Sequence, residues 1–328
     1  MAATHTSVWQ RARVSRSRRL TPAIVEVELQ VEIPVKVDAG AHLDVRVPLE
    51  AGPDRRSYSI VDATPDGSRV TVAVYRSPIS RGAAAAMHGL REGDELEVTQ
   101  PMQDFPLRIG APSYVLLAGG IGVTAISGMA RVLRDLGAAY RLIYAGRSRG
   151  QMAYLDELAD THGDRLTLHV RDENSSLVIP ELVAGVDPDA ELYMCGPIRM
   201  MDEVRRTWIE RGLRLPNLRF ETFGNSGWHE PQEFRVTIPR LGVSAVVRPD
   251  ETMLEALEAA GADLMYDCRK GECGLCEARI LELHGAIDHR DVFYSERQKD
   301  ATSRMCCCVS RVVTTRGAGP ASVVIEVS

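Results

Sequence analysis

The chain has no apolar run approaching the roughly 18 residues that a membrane-spanning helix needs. Its first twenty residues hold no apolar h-region, so no secretory signal is expected. Basic residues form no stripe: 39 Lys and Arg are interspersed with 45 Asp and Glu, leaving a net charge of -6. Nucleic acid is therefore excluded as a partner at this stage. There is no internal repeat and no low-complexity tract, and the eight histidines show no metal-ligand spacing. A cytoplasmic monomer without a membrane partner is the expectation. The composition, 45% hydrophobic and 26% charged, is that of an ordinary globular chain and excludes a collagenous or disordered one. At roughly 150 residues per domain, 328 residues make two or three domains.

The seven cysteines are unevenly distributed. Cys195 stands alone, and the other six lie between Cys268 and Cys308. A disulfide scaffold would spread its cysteines over a small exported domain, whereas clustered thiols in a cytosolic chain bind metal or do redox chemistry. Cys268, Cys273 and Cys276 have the spacing C-x4-C-x2-C, with further thiols about thirty residues on. This is the plant-type spacing for a 2Fe-2S cluster. Two irons need four thiolates at short range, so one loop supplies most of them. Gly271 and Gly274 would let the backbone pass close to the inorganic sulfides. A zinc site would use two separated C-x2-4-C pairs instead. The fourth ligand is ambiguous, because Cys306, Cys307 and Cys308 are consecutive. Alternation along a strand leaves both Cys306 and Cys308 as candidates.

Upstream, the first hundred residues read as β structure. Val25–Leu29, His42–Val47 and Val70–Val74 alternate apolar with polar and are separated by turn signals. A small antiparallel barrel follows, with one helix near Gly82 to Leu90. From Ala111 the pattern changes. Tyr114–Ala118 is a continuous apolar run, expected of a strand buried on both faces, and a helical stretch to Leu136 follows. Further strands are expected at Arg141–Ala145 and Leu166–Val170. The last of this set is Glu191–Cys195, with a helix over Ile198–Arg211. Residues 224–232 read as a linker. Beyond it come a hairpin of Phe234–Ile238 with Val243–Val247, and a helix over Thr252–Ala260 capped by Asp250 or Thr252. The expected boundaries are 1–110 for the barrel, 111–225 for an α/β parallel-sheet domain, 226–233 for a linker and 234–328 for an α+β ferredoxin domain.

Two further constellations suggest cofactors. Arg56-Ser57-Tyr58-Ser59 opens a strand, and downstream lie Tyr75-Arg76 and the turn Arg81-Gly82-Ala83 before a helix. A glycine turn at a helix start beside arginines suits a phosphate, and the two together point to a flavin on the barrel. Gly119-Gly120-Ile121-Gly122-Val123-Thr124 lacks the G-x-G-x-x-G fingerprint, yet it sets glycines between a buried strand and a helix start, where a pyrophosphate can approach backbone amides. Cys195-Gly196-Pro197 ends another strand.

Together these residues resemble the phthalate dioxygenase reductase family, which includes vanillate demethylase reductases. The resemblance spans essentially the whole chain and extends to Phe220-Glu221-Thr222-Phe223-Gly224, Asp288-His289-Arg290-Asp291 and Cys308-Val309-Ser310-Arg311. It implies FMN, NADH, one plant-type 2Fe-2S cluster and a Rieske-type oxygenase as electron acceptor. Arg56, Tyr58 and Ser59, with Ser57 and Tyr75 nearby, would contact FMN, and Arg81, Gly82 and Ala83, with Arg76 beside them, its phosphate. Gly119, Gly120, Gly122, Thr124 and Gly196 would lie on the nicotinamide side, with Cys195 near the nicotinamide and Phe223 over the flavin ring. Thr124, Cys195 and Phe223 are the residues expected at the reacting centre. The resemblance selects Cys308 as fourth cluster ligand beside Cys268, Cys273 and Cys276. Arg147 and Arg149 could receive a 2′-phosphate, which keeps NADPH beside NADH. A diiron monooxygenase or a cytochrome is the alternative acceptor.

Overall fold

The computed structural model describes residues 7–49, 53–77, 82–224, 226–315 and 319–327. They divide into two compact units. One holds the residues up to Gly196 together with Thr207–Glu221, the other Pro197–Arg206 together with the residues from Thr222 onward. Among the described residues no helix is long and apolar enough to cross a membrane.

The first unit begins with an antiparallel barrel. Its strands are β1 (Trp9–Thr21), β2 (Ile24–Val31), β3 (His42–Val47), β4 (Asp54–Ala63), β5 (Arg69–Tyr75) and β6 (Glu95–Thr99), closed in the order β1-β2-β5-β4-β3-β6. Helix α1 (Ala83–Gly89) lies between β5 and β6. Val27, Leu29, Val45, Val72 and Val98 fill the interior. Three of the six strands are legible as alternation. β1 is not, because its five arginines lower its hydropathy throughout. Alternation also puts Glu26 in water, but the structure buries it and pairs it with Arg16 and Arg18. A buried carboxylate needs such partners.

The same unit continues as a parallel sheet of β7 (Tyr114–Gly119), β8 (Tyr140–Gly146), β9 (Leu166–Val170), β10 (Glu191–Cys195) and β11 (Leu218–Glu221), ordered β11-β10-β7-β8-β9. The connecting helices are α2 (Val123–Asp135), α3 (Leu155–His162), α4 (Ile179–Ala184) and α5 (Ile198–Glu210), of which α5 belongs to this unit only from Thr207 on. Leu116, Leu117, Leu142 and Leu192 are fully buried, as central parallel strands require. Each contributes ~1.5–3 kcal/mol relative to exposure. Glu191–Cys195 is not the last strand of this set: β11 follows it, and at four residues it is too short to show a period.

The second unit contains a mixed sheet ordered β13-β12-β18-β14-β16, formed by β12 (Phe234–Ile238), β13 (Val243–Val247), β14 (Glu277–His284), β16 (Arg304–Cys306) and β18 (Ser322–Glu326). A small sheet pairs β15 (Ala286–Asp288) with β17 (Arg311–Val313). Helix α6 (Met253–Ala259) buries Met253, Leu254 and Leu257 in the core, and α7 (Glu296–Asp300) precedes β16. This is an α+β ferredoxin fold. Of the two candidate caps, Thr252 caps α6: its hydroxyl accepts from the Glu255 amide, and the Glu255 carboxylate accepts from the Thr252 amide. The described residues read as a linker, 224 and 226–232, form no strand or helix, but they are held within this unit. The Trp228 and His229 amides donate to Asp288, whose other partner is the Arg290 guanidinium.

Candidate functional site

The order of the parallel sheet reverses between β7 and β10, and ligands of such sheets bind outside the carboxyl ends of the strands at that point. Two motifs meet there. β7 ends in Gly119 and runs through Gly120 and Gly122 into α2, while Cys195 ends β10 opposite Ala118 of β7 and Gly196 follows it. Gly120 has φ +53, which suits glycine. Gly122 is required for a different reason: a Cβ there would lie 2.2 Å from the Cys195 carbonyl oxygen and 2.9 Å from the Gly196 amide. α2 has no side-chain N-cap, and the amide of its first residue, Val123, donates to the Gly120 carbonyl within the turn that leads into it. The Thr124 hydroxyl donates to the Ile121 carbonyl at 2.9 Å and pins the loop from inside. Cys195 is fully buried.

On the barrel, Arg56 and Tyr58 share one face of β4, Ser57 and Ser59 the other. The Arg56 guanidinium pairs with Asp54 at 2.7 Å. Tyr58 is half-buried against the barrel core, and that burial raises its phenol above its ordinary range. The Ser57 hydroxyl donates to Asp44, so Ser57 serves a carboxylate rather than joining Tyr58. Ser59 is buried, and its hydroxyl donates to Glu221 at 3.2 Å. Tyr75 ends β5 exposed, followed by exposed Arg76. Gly82 turns the chain into α1 with φ +91, and buried Ala83 begins the helix. Arg81 lies outside the described residues. Arg147 stands exposed past the end of β8, and Arg149 makes two bonds to Glu173, at 2.7 and 3.0 Å.

Sequence reasoning assigned no role to Glu221. Its carboxylate ends β11 in register with Cys195, is buried, and accepts from the flavin-motif serine. An acid at a strand end has no local signal that separates it from a solvated one. Phe223 falls in the second unit, between two residues tied to the cysteine loop. The Thr222 amide donates to Glu272 at 2.8 Å, and a Cβ at Gly224 would lie 3.2 Å from the Lys270 Cα.

In the second unit the loop from Cys268 to Cys276 precedes β14 directly. Backbone amides of Lys270, Glu272 and Cys273 all point at the Cys268 sulfur at 3.4 Å. Cys308 donates to Cys268, and with these amides it pushes the Cys268 thiol down to about 5 against the opposing effect of burial. Hydrogen bonds from Cys306 and Cys308 push Cys276 down to about 3. Cys308, shared between Cys268 and Cys276, is pushed up correspondingly. Cys273 neighbours Cys268, and burial is the main cause that raises it. Cys308 thus links Cys268 and Cys276, Cys273 neighbours Cys268, and Cys268 and Cys276 are disposed to give up their protons. That donor set, with an amide cradle on one sulfur, suits a cluster of thiolate-bound irons.

Strand alternation does not extend through the three consecutive cysteines. β16 ends at Cys306, and a turn follows, closed by the Ser310 amide on the Cys306 carbonyl at 3.0 Å. Gly271 and Gly274 have φ +77 and +75. Their missing Cβ atoms make room for Val309 at 2.6 Å and the Phe293 ring at 2.3 Å, so packing within the protein demands glycine there.

Comparison with known proteins agrees with this arrangement. Residues 236–313 match the 2Fe-2S iron-sulfur cluster binding domain. The chain is 36% identical to phenoxybenzoate dioxygenase subunit beta of Ectopseudomonas oleovorans over 83% of this chain and 84% of that one. It superposes on the structure described as phthalate dioxygenase reductase, a modular structure for electron transfer from pyridine nucleotides to 2Fe-2S. The TM-score is 0.73 at 30% identity, covering 97% of this chain and 98% of that one. An intact type IV self-sufficient cytochrome P450 monooxygenase aligns with TM-score 0.65 and 30% identity over 97% of this chain, which spans 41% of that longer one. The chain thus belongs to the phthalate dioxygenase reductase family and is an oxidoreductase.

Proposed function

We propose that this chain is the reductase component of a two-component oxygenase system whose acceptor is a Rieske-type oxygenase, and that it carries electrons from NADH by way of FMN and a 2Fe-2S cluster. The observation that carries the reading is the gathering of Cys268, Cys273, Cys276 and Cys308 in a chain that also sets a glycine loop at the switch point of a parallel sheet. FMN, when bound, takes up two electrons as a hydride and releases them singly, which is what a one-electron cluster requires.

The chain's own groups bind and orient. Arg56, Tyr58 and Ser59, with Tyr75 and Arg76, hold the flavin on the barrel. Arg81, Gly82 and Ala83 take its phosphate. Gly119, Gly120, Gly122 and Gly196 let the pyrophosphate approach the backbone at the start of α2, and Arg147 lies toward the adenosine ribose. Thr124 and Cys195 orient the nicotinamide, and Phe223 covers the flavin ring until the nicotinamide displaces it. Glu221, held by Ser59 beside Cys195, keeps a fixed carboxylate at that centre. Cys268, Cys273, Cys276 and Cys308 hold the cluster. The domains that do this are 1–110, 111–225 and 234–328, joined through 226–233, in a cytoplasmic monomer.

A cytochrome acceptor is the second reading, and the alignment with a self-sufficient cytochrome P450 monooxygenase favours it. The test uses the purified full-length chain. Released flavin is identified by mass spectrometry, NADH oxidation is followed with ferricyanide, and electron delivery is compared between a Rieske oxygenase component and a P450 haem domain. FMN with faster delivery to the Rieske centre is the expected result. FAD, or preference for the haem domain, overturns the corresponding part of the reading.

A further inference from the structure

Four thiols complete the donor set of a plant-type cluster, yet a fifth lies against it. Cys306 is fully buried at the end of β16, and its thiol is a hydrogen-bond neighbour of the Cys276 sulfur. The backbone holds it there. Cys306 pairs in register with Glu277, the residue after Cys276, and the Cys307 amide donates to the Cys276 carbonyl at 3.0 Å. Cys307 differs: Cys276 takes its side-chain hydrogen bonds from Cys306 and Cys308, whereas burial is the main influence on the Cys307 thiol, which lines a small cavity with Leu264, Met265, Leu275 and Cys276 itself. Cys268 has Cys273 and Cys308 beside it, both already in the donor set.

We propose that Cys306 is a reserve cluster ligand, able to replace Cys276 on iron. The inference rests on the cluster reading above. In the exchange the iron–sulfur bond to Cys276 breaks, the Cys306 thiol passes its proton to the departing Cys276 sulfur, and the Cys306 sulfur bonds the same iron. No electron is gained or lost, and the hydrogen bond between the two thiols is the path of the proton. A buried reserve thiol keeps the cluster attached when a ligand is transiently lost, in a loop that also carries exposed residues such as Leu275.

The test loads iron and sulfide anaerobically into the full-length chain and four variants: Cys276→Ala, Cys276→Ala with Cys306→Ala, Cys276→Ala with Cys307→Ala, and Cys268→Ala. Iron content and the EPR spectrum after dithionite reduction are read. Cys276→Ala is expected to retain about half or more of the wild-type iron with shifted g values, while the double variant lacking Cys306 falls to about a tenth or less. Removing Cys307 should change nothing further, and Cys268→Ala should be as empty as the variant lacking both Cys276 and Cys306. Iron as low in Cys276→Ala as in that double variant overturns the proposal. A second measurement does not depend on any Cys276 variant folding. With Cys276 intact, Cys306→Ser should lose iron to a chelator several-fold faster than Cys307→Ser, and equal rates overturn the proposal. Serine keeps a hydroxyl donor toward Cys276, so a faster loss reports the missing thiol ligand rather than a missing hydrogen bond. A wild-type chain that takes up no cluster would instead refute the cluster reading.

Discussion

Gly122 and Cys195 touch through backbone: a Cβ on Gly122 would sit 2.2 Å from the Cys195 carbonyl oxygen. That contact lets the start of α2 close against the end of β10, and it makes the crevice at the switch point. Gly122→Ala must push α2 away, at a cost of ~1–3 kcal/mol in stability. The expected phenotype is a raised KM for NADH with flavin content unchanged. Steady-state kinetics beside flavin absorbance check it, and an unaltered KM would remove the loop from the nucleotide site.

The cysteines give a second expectation. Cys308 contacts both Cys268 and Cys276, so Cys308→Ser should abolish the visible absorption and EPR signal of the cluster. Cys306→Ser and Cys307→Ser, with Cys276 in place, should keep both signals. Retention of a normal spectrum in Cys308→Ser would end its assignment as fourth ligand.

Nucleotide choice is the third. Arg149 is held by Glu173 through two hydrogen bonds, which competes with any 2′-phosphate for the guanidinium. NADH should therefore be preferred. Glu173→Gln should raise kcat/KM for NADPH relative to NADH by about two- to fivefold, the modest effect expected of an exposed pair. An unchanged ratio would place the 2′-phosphate elsewhere.

Partner docking is the fourth. Near the cysteine loop Asp263 and Asp267 are exposed, whereas Glu272 bonds the Thr222 amide and Glu277 bonds Tyr294. Exposed charges steer encounter and are screened over about 8 Å at physiological salt. Oxygenase turnover should fall as salt rises, while stopped-flow reduction of the flavin by NADH changes little. Equal sensitivity of the two steps would contradict charge-steered docking.

Much of this protein is written locally. Leu166–Val170, Glu191–Cys195, Phe234–Ile238 and Val243–Val247 are strands with the bounds their hydropathy pattern indicates, because burial on one or both faces imposes its own period on neighbouring residues. The C-x4-C-x2-C loop is equally local, since one short segment must surround the irons. Tertiary structure decided what depends on residues far apart in the chain. It set Gly122 against Cys195, brought Ser59 to Glu221, and turned the chain after Cys306 so that Cys306 and Cys308 both hydrogen-bond Cys276. None of these follows from a period or a spacing. Each arises because strands distant in sequence pair in one register, and only that register brings the side chains together.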